Sequence, residues 1–182
     1  AVMILTDNDV PGSAGLLQFS AASYVAGEGS ATVTLTVTRT GGKAGEVMVD
    51  YLTVDGDALG EADFAPDSGT LVFPDGVTSR TIVIGLNDDD FDETNETFEV
   101  MLDAPVGGAS LGTRNVATVV ITDNDAAGEI RFSAPSIKID ETAGEAEVTL
   151  TRSGGTAEGV TVDVTVVGGT ASAEDDYSLM TE

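Results

Sequence analysis

Hydrophobic and polar residues alternate with a period of two through much of the chain. Between Thr32 and Arg39, threonine occupies positions 32, 34, 36 and 38, and valine or leucine occupies positions 33, 35 and 37. Val and Thr in strict alternation are typical of β-strands that bury one face. The same pattern predicts further strands over residues 47–54, 81–86, 97–102 and 117–122.

Turn-forming residues separate these segments. Gly41-Gly42, Pro74-Asp75-Gly76 and Gly107-Gly108 are sequences that reverse the chain, and no segment has the period of an amphipathic helix. The first strand, Leu17 to Val25, is interrupted at residues 20–23, so we expect it to pass from one sheet to the other there. The sequence therefore predicts an all-β protein, an immunoglobulin-like antiparallel β-sandwich of about seven strands.

The chain also repeats itself. Asp7-Asn8-Asp9 recurs 116 residues later as Asp123-Asn124-Asp125, and Thr38-Arg39 recurs 113 residues later as Thr151-Arg152. A repeat of about 115 residues is typical of a string of independent domains. We therefore predict that residues 1–10 are the last strand of a preceding copy, 16–125 a complete copy and 129–182 the N-terminal half of a following copy.

Tandem copies suggest two kinds of protein contact. Neighbouring repeats of the same chain are the first expected partners. The two partial copies would also have unpaired strand edges, which permit strand exchange between molecules.

Charge excludes several other partners. The chain has 32 acidic and 7 basic residues among 182, a formal charge of −25. Such a surface repels phosphate groups, so we expect no nucleic-acid binding and no membrane insertion. The chain has no Cys and no His, which excludes disulfides, zinc and haem. Any bound metal must be a hard cation held by oxygen.

Acidic residues recur at predicted strand ends that should meet at one end of the sandwich. At an effective dielectric constant near 20, each pair of carboxylates about 4 Å apart costs roughly 4 kcal/mol. Calcium would offset this repulsion and accepts six to eight oxygen ligands. The alternative is that these are ordinary turn residues held by local hydrogen bonds. The residues concerned are Glu28, Asp55, Asp88, Asp89, Asp90, Glu93, Glu96, Asp123 and Asp125.

Several motifs together resemble the Calx-beta family, over nearly the whole chain. They are Tyr24-Val25-Ala26-Gly27-Glu28, Thr38-Arg39-Thr40-Gly41-Gly42, Asp55-Gly56-Asp57-Ala58, Asp63-Phe64, Asp88-Asp89-Asp90-Phe91-Asp92-Glu93 and Ala109-Ser110-Leu111-Gly112. The resemblance implies tandem repeats and a Ca2+ site. The side-chain ligands it implies are Glu28, Asp55, Asp88, Asp89, Asp90, Glu93, Asp123 and Asp125, and the backbone carbonyl of Phe91 is expected to join them.

Two positions depart from the calcium-binding pattern of the family. Asn124 stands where some members have Asp, which lowers the ligand charge and favours one or two ions over a larger cluster. Gly168 occupies the position in the following copy that Asp55 has in the complete copy, so that copy is expected to bind calcium more weakly.

An enzymatic role is not expected. A glycosidase would need an aromatic-lined sugar cleft, but the chain has no Trp and only 5% aromatic residues. We expect a calcium-binding structural or adhesive repeat, in a secreted or cell-surface protein of bacteria. Calcium would stabilise the domain and, because Asp125 directly precedes residues 126–128, stiffen the junction to the next copy. The alternatives are a protein- or glycan-binding adhesion module and a cytoplasmic calcium sensor as in sodium/calcium exchangers.

Overall fold

The computed structural model of the protein describes residues 12–173 and 175–178. The chain forms two compact units, Ala1–Ala126 and Ala127–Glu182. The predicted last strand of a preceding copy, residues 1–10, lies outside the described residues. In the described part of the chain, no helix combines the length and the apolar character that a membrane span requires.

The first unit is a sandwich of two sheets, which confirms the predicted fold. One sheet has the strand order β6-β3-β1-β8, and the other has the order β2-β9-β7-β4-β5. Most neighbouring strands are antiparallel, but the pairs β1–β8 and β2–β9 are parallel. The strands are β1 Leu16–Phe19, β2 Ser23–Gly27, β3 Thr32–Thr40, β4 Val47–Val54, β5 Ser68–Phe73, β6 Ser79–Gly85, β7 Glu96–Val106, β8 Ser110–Leu111 and β9 Val116–Thr122.

The predicted change of sheet in the first strand is confirmed. β1 belongs to the four-stranded sheet and β2 to the five-stranded sheet. The Tyr24 hydroxyl stabilises the break, because it donates to Thr36 O at 3.1 Å and lies 2.9 Å from the Ser20 hydroxyl. This split, with the two-residue strand β8, explains why the sandwich has more than seven strands.

The core lies between the two sheets and follows from the alternation. On β3, Val33, Leu35 and Val37 are buried, and the threonines between them face outwards. Phe64 and Phe98 stack at the centre, with ring centroids 4.0 Å apart and an interplanar angle of 11°. Burial of such side chains supplies about 1.5–3 kcal/mol each, which fixes both the register and the face of every strand.

The pairing directions bring several loops to the same end of the sandwich. β2 and β9 are parallel, and β7 is antiparallel to both β9 and β4. The C-terminal ends of β2, β4 and β9 therefore lie beside the start of β7. In the other sheet, the register of Thr32 with Gly85 places the end of β6 beside the start of β3. We call this end the carboxylate pole, after the acidic residues described below.

The second unit repeats features of the first. Its strands β10 Glu129–Phe132 and β11 Leu150–Ser153 pair antiparallel in the register that β1 and β3 have 113 residues earlier. Buried Arg39 donates three hydrogen bonds, to the carbonyl oxygens of Ala14, Ala44 and Gly45. Arg152 donates in the same way to the carbonyls at positions 127, 157 and 158. The internal repeat is thus visible in strand pairing and in side-chain contacts.

Candidate metal centre

Acidic side chains converge at the carboxylate pole in three overlapping groups. Within each group, one carboxylate oxygen from each residue lies within 4.8 Å of the others. Of the residues predicted as ligands, the structure brings together Glu28, Asp88, Asp89, Glu93 and Asp125. The first group is Glu28, Asp89 and Glu93; the second is Glu28, Asp88 and Asp125; the third is Asp63, Glu93 and Glu96.

Glu28 belongs to both the first and the second group. It begins a single 3-10 turn, Glu28–Ser30, that follows β2 and closes at Ala31 in the left-handed region (φ 60°). Its side chain is only 7% exposed, and the Asn124 N–H donates to its Oε1 at 3.3 Å. Burial, with additional repulsion from Asp123 and Asp89, raises the pKa of Glu28 to about 7. Without a cation, the charged form of this carboxyl is therefore disfavoured relative to an ordinary Glu.

Asn124 connects the members of the second group. Its Nδ2 donates to Asp88 Oδ1 at 3.4 Å and to Asp125 Oδ2 at 3.3 Å, and its Oδ1 accepts from Gly29 N at 3.1 Å. Gly29 permits this approach, since a Cβ atom there would lie 3.0 Å from Asn124 Oδ1. A neutral amide thus supplies hydrogen-bond donors between two carboxylates where a further Asp would add negative charge.

Asp123 organises the loop that follows β9. Its Oδ1 accepts from Asp125 N at 2.9 Å and its Oδ2 from Glu93 N at 3.1 Å. These backbone donors, that of Asp125 foremost, lower the pKa of Asp123. The pKa of Asp125 is raised instead, by burial and then by the charges of Asp123, Asp90 and Asp88. Asp90 therefore acts on the second group through its charge.

The third group includes two residues that were not among the predicted ligands, Asp63 and Glu96. Asp63 lies in the β4–β5 loop, where its Oδ2 accepts from Leu59 N at 2.6 Å. Burial, followed by the charge of Asp63, raises the pKa of Glu96 to about 7. Glu96 is the first residue of β7, and its position at a strand start beside Glu93 was the sequence signal that pointed to it.

Asp55 and Phe91 lie differently from the other predicted ligands. Asp55 is in none of the three groups, and its Oδ1 accepts from Gly60 N at 3.1 Å within the β4–β5 loop. The Phe91 N–H donates to Asp89 Oδ1 at 2.8 Å, and the residue is 51% exposed. Coordination by Asp55 and by the Phe91 carbonyl stays a prediction.

The chemistry of the groups suits a hard divalent cation. All the converging ligand atoms are carboxylate oxygens, which calcium prefers. In the described part of the chain, no basic side chain forms a salt bridge with Glu28, Asp88, Asp89 or Asp125. A cation bound here would therefore offset repulsion that the protein's own basic residues leave in place.

Comparison with known proteins gives consistent matches. The Calx-beta domain model matches residues 11–125 and 123–182. Bovine sodium/calcium exchanger 1 is 35% identical over 171 residues, which is 84% of this chain and 18% of the exchanger. Human sodium/calcium exchanger 3 is 35% identical over 185 residues, 87% of this chain and 20% of that protein. The chain thus spans about a fifth of these relatives.

Solved structures agree with the sequence matches. The calcium binding domain CBD12 of CALX1.1 is 33% identical, with a TM-score of 0.61, over 76% of this chain and 58% of that one. The apo-form Calx CBD1 domain is 34% identical, with a TM-score of 0.58, over 60% of this chain and 96% of that one.

The relatives correct one prediction. The expectation of a secreted or cell-surface bacterial protein is wrong, because the proteins that match most of the chain are sodium/calcium exchangers of mammals. The reason for that expectation was the presence of successive copies with almost no basic residues. The low basic content belongs to the acidic pole and surface of the domain. A net charge of −25 does not by itself identify a compartment. These matches give no support to an extracellular adhesive role.

Proposed function

The chain belongs to the Calx-beta family, and from that premise we propose that its first unit is a calcium-binding domain within a larger protein. One observation carries the proposal: three groups of carboxylate oxygens, each within 4.8 Å, share residues at a single end of the sandwich. A similar solved structure is described as a calcium binding domain, which supports the choice of ion. The role is binding rather than catalysis.

The first and second groups are the proposed primary site. Glu28 would contribute to both, with Asp89 and Glu93 on one side and Asp88 and Asp125 on the other. Two ions sharing one carboxylate, or a single ion in either group, both agree with this arrangement. The ligands beyond these side chains would be water and backbone carbonyl oxygens, since calcium takes six to eight oxygens.

Calcium would act by relieving repulsion among the pole's loops. In the metal-free protein, the raised pKa of Glu28 indicates that its charged form is disfavoured there. A divalent cation favours the charged form and draws the loops after β2, β6 and β9 together. Similarity to sodium/calcium exchangers supports a sensing role, in which a larger protein responds to this change.

The loop after β9 suggests how calcium binding would affect the chain beyond the first unit. Asp125, a member of the second group, is followed directly by residues 126–128, at the boundary between the two units. A bound cation would order this loop and so restrict the junction. Stiffening of the junction by calcium is therefore part of the proposal.

Two measurements test the proposal: calorimetric titration of calcium into the chelator-treated chain, and thermal unfolding in calcium and in chelator. Binding should raise the thermal midpoint, because free ion at about 100 times the dissociation constant adds about 2.7 kcal/mol of stability. Asp89→Asn and Glu93→Gln should abolish most of the shift. Asp103→Asn, which removes an exposed carboxylate from β7 outside the three groups, is the matched control.

Hydrogen exchange at residues 126 and 127 should slow with calcium if the junction stiffens. A thermal midpoint of unfolding that is the same in calcium and in chelator contradicts calcium binding.

A further inference from the structure

The second unit repeats strand β2 of the first unit but not the strand that pairs with it. In the first unit, all five residues of β2 pair in parallel with β9. The corresponding residues of the second unit, 113 positions later, are 136–140, which we call the acceptor segment. Among the residues that the structure describes, the sheet of the second unit has only β10 and β11, and the acceptor segment lies in no strand.

The acceptor segment keeps the local backbone and the alternation of β2. Its last residue, Asp140, has φ −82° and ψ 134°, close to φ −74° and ψ 147° at Gly27, and each is followed by a 3-10 turn of three residues. Ile137 and Ile139 correspond to the two β2 residues that pack against the core. In the second unit these isoleucines are 47% and 52% exposed. The apolar face that β2 covers in the first unit is therefore exposed in the acceptor segment.

The chain has a further sequence of the β9 type near its first residue. Residues 2–6, which we call the donor segment, align with the five residues of β9 that pair with β2, 116 positions later. They lie outside the described residues, and they include no charged side chain. Met3 and Leu5 align with Val119 and Ile121, which are buried in the first unit. The donor segment thus has apolar side chains at the positions where a strand beside β2 needs them.

We propose that the acceptor segment binds the donor segment of a second copy of this chain as an added parallel strand. The register of β2 with β9, transferred to these segments, pairs Ile4 with Lys138 and Leu5 with Ile139. Apolar side chains then meet on the face that β2 buries, and Ile4 and Lys138 share the outer face. Main-chain hydrogen bonds supply most of the affinity for an added strand, so the contact does not require the buried area of two flat surfaces.

The path of the chain favours a donor from another molecule. β1 begins at Leu16, opposite Thr40 at the end of β3, whereas Thr32 at the start of β3 lies at the carboxylate pole. The nine residues of β3 separate these two ends by about 30 Å. The second unit begins at Ala127, directly after the loop of the carboxylate pole. Residues 7–15, between the donor segment and β1, would reach that pole in their own molecule only if fully extended, since nine residues span at most about 30 Å.

Charge influences the strength of the contact. The donor segment is uncharged and Lys138 is basic, so the paired strands do not repel each other along most of their length. Asp7 and Asp9, which follow the donor segment, come near Asp140, and each molecule has a formal charge of −25. Higher salt screens this repulsion and therefore strengthens the contact. Because donor and acceptor are different surfaces, molecules associate as reciprocal pairs or as longer chains.

Sedimentation equilibrium of the intact chain from about 10 μM to about 1 mM, in chelator, tests this inference independently of calcium binding. We expect the average mass to rise with concentration, and to rise more at about 0.5 M than at about 0.05 M salt. Leu5→Glu should weaken association by at least about tenfold, because it places a charge on the buried face of the added strand. Ile4→Glu is the matched control: it makes the same substitution one residue away, on the outer face opposite Lys138, and should not weaken association.

Disulfide formation tests the register, since the chain has no Cys of its own. Ile4→Cys and Lys138→Cys proteins are mixed and oxidised, and mass spectrometry identifies the mixed dimer. We expect efficient cross-linking, because opposite residues of neighbouring strands lie about 4.8 Å apart, within the range that a disulfide bridges. Ile4→Cys mixed with Ser136→Cys, two residues out of register on the same face, is the control and should cross-link much less.

Four outcomes would overturn the inference. The first is a wild-type chain that stays monomeric at about 1 mM in high salt. The second is association that survives Leu5→Glu, and the third is an equal loss from Leu5→Glu and Ile4→Glu. The fourth is equal cross-linking of Ile4→Cys to Lys138→Cys and to Ser136→Cys. Circular dichroism of each variant checks that the fold is kept.

Discussion

The metal-free protein should lose stability as the pH rises towards neutrality, because folding raises the pKa of Glu28. Its ordinary value is 4.5, and its value in the folded protein is about 7. A carboxyl whose pKa is higher in the folded state binds its proton more tightly there than in the unfolded state. Its contribution to stability is therefore complete below pH 4.5 and is lost as the pH rises through 7.

The magnitude follows from the size of the shift. Each pKa unit corresponds to about 1.4 kcal/mol, so between about pH 5 and about pH 7.5 Glu28 alone should account for a loss of about 2 kcal/mol. Glu96, whose pKa is also raised to about 7, acts in the same direction. The pKa of Asp123 is lowered, so its effect on stability has the opposite sign. That effect occurs below pH 3.8, the ordinary pKa of an Asp, and therefore lies outside this pH range.

Urea unfolding in chelator, followed by far-ultraviolet circular dichroism, measures this effect. Glu28→Gln should flatten the pH dependence by about 2 kcal/mol, and Glu28→Gln combined with Glu96→Gln should flatten it further. Glu99→Gln, at an exposed position on β7, is the control and should leave it unchanged. Saturating calcium should reverse the slope, since calcium binds the charged carboxylates. Identical pH dependence in wild type and Glu28→Gln would refute the reasoning.

Two further substitutions test other parts of the first unit. Asn124→Asp replaces the amide that donates to Asp88 and Asp125 with a carboxylate. It should lower the thermal midpoint in chelator and widen the difference between calcium and chelator; an unchanged midpoint in chelator would contradict the role given to the amide. Arg39→Met leaves three carbonyl oxygens without their donor, and urea unfolding should show a loss of about 3 kcal/mol or more. Arg80→Met removes one exposed hydrogen bond, to Val72, and should cost less than about 1 kcal/mol.

Alternation located the strands well wherever one face is buried. The predicted segment 47–54 coincides with β4 Val47–Val54, and 32–39 differs from β3 Thr32–Thr40 by a single residue. β5 Ser68–Phe73 was not found in this way, because Leu71 and Val72 are consecutive apolar residues in a strand at the edge of its sheet. Such an edge strand has less contact with the core, so its sequence shows the period less clearly.

The candidate site was predictable as far as it depends on strand ends. Glu28 directly follows β2, and Asp125 lies three residues after the end of β9, so the sequence could place both at one end of the sandwich. The position of Asp63 could not be predicted in this way, since it depends on the path of the β4–β5 loop. That path is held by Asn87, whose side-chain amide donates to the carbonyl oxygens of Glu61 and Ala62. Contacts between two loops of this kind leave no periodic signal in the sequence.

The parallel pairing of β2 with β9 has a mechanical consequence. The chain enters β2 at Ser23, after β1 and the break that follows it, and leaves β9 at Thr122, and the five residues of β2 are all in register with β9. Tension that reaches the Ser23 end of β2 and the Thr122 end of β9 therefore pulls these two strands in opposite directions along their axes. The load falls on all their hydrogen bonds at once, in shear, rather than opening them one after another. The strand pair that ends beside Glu28 and Asp123 would thus resist such a force in shear.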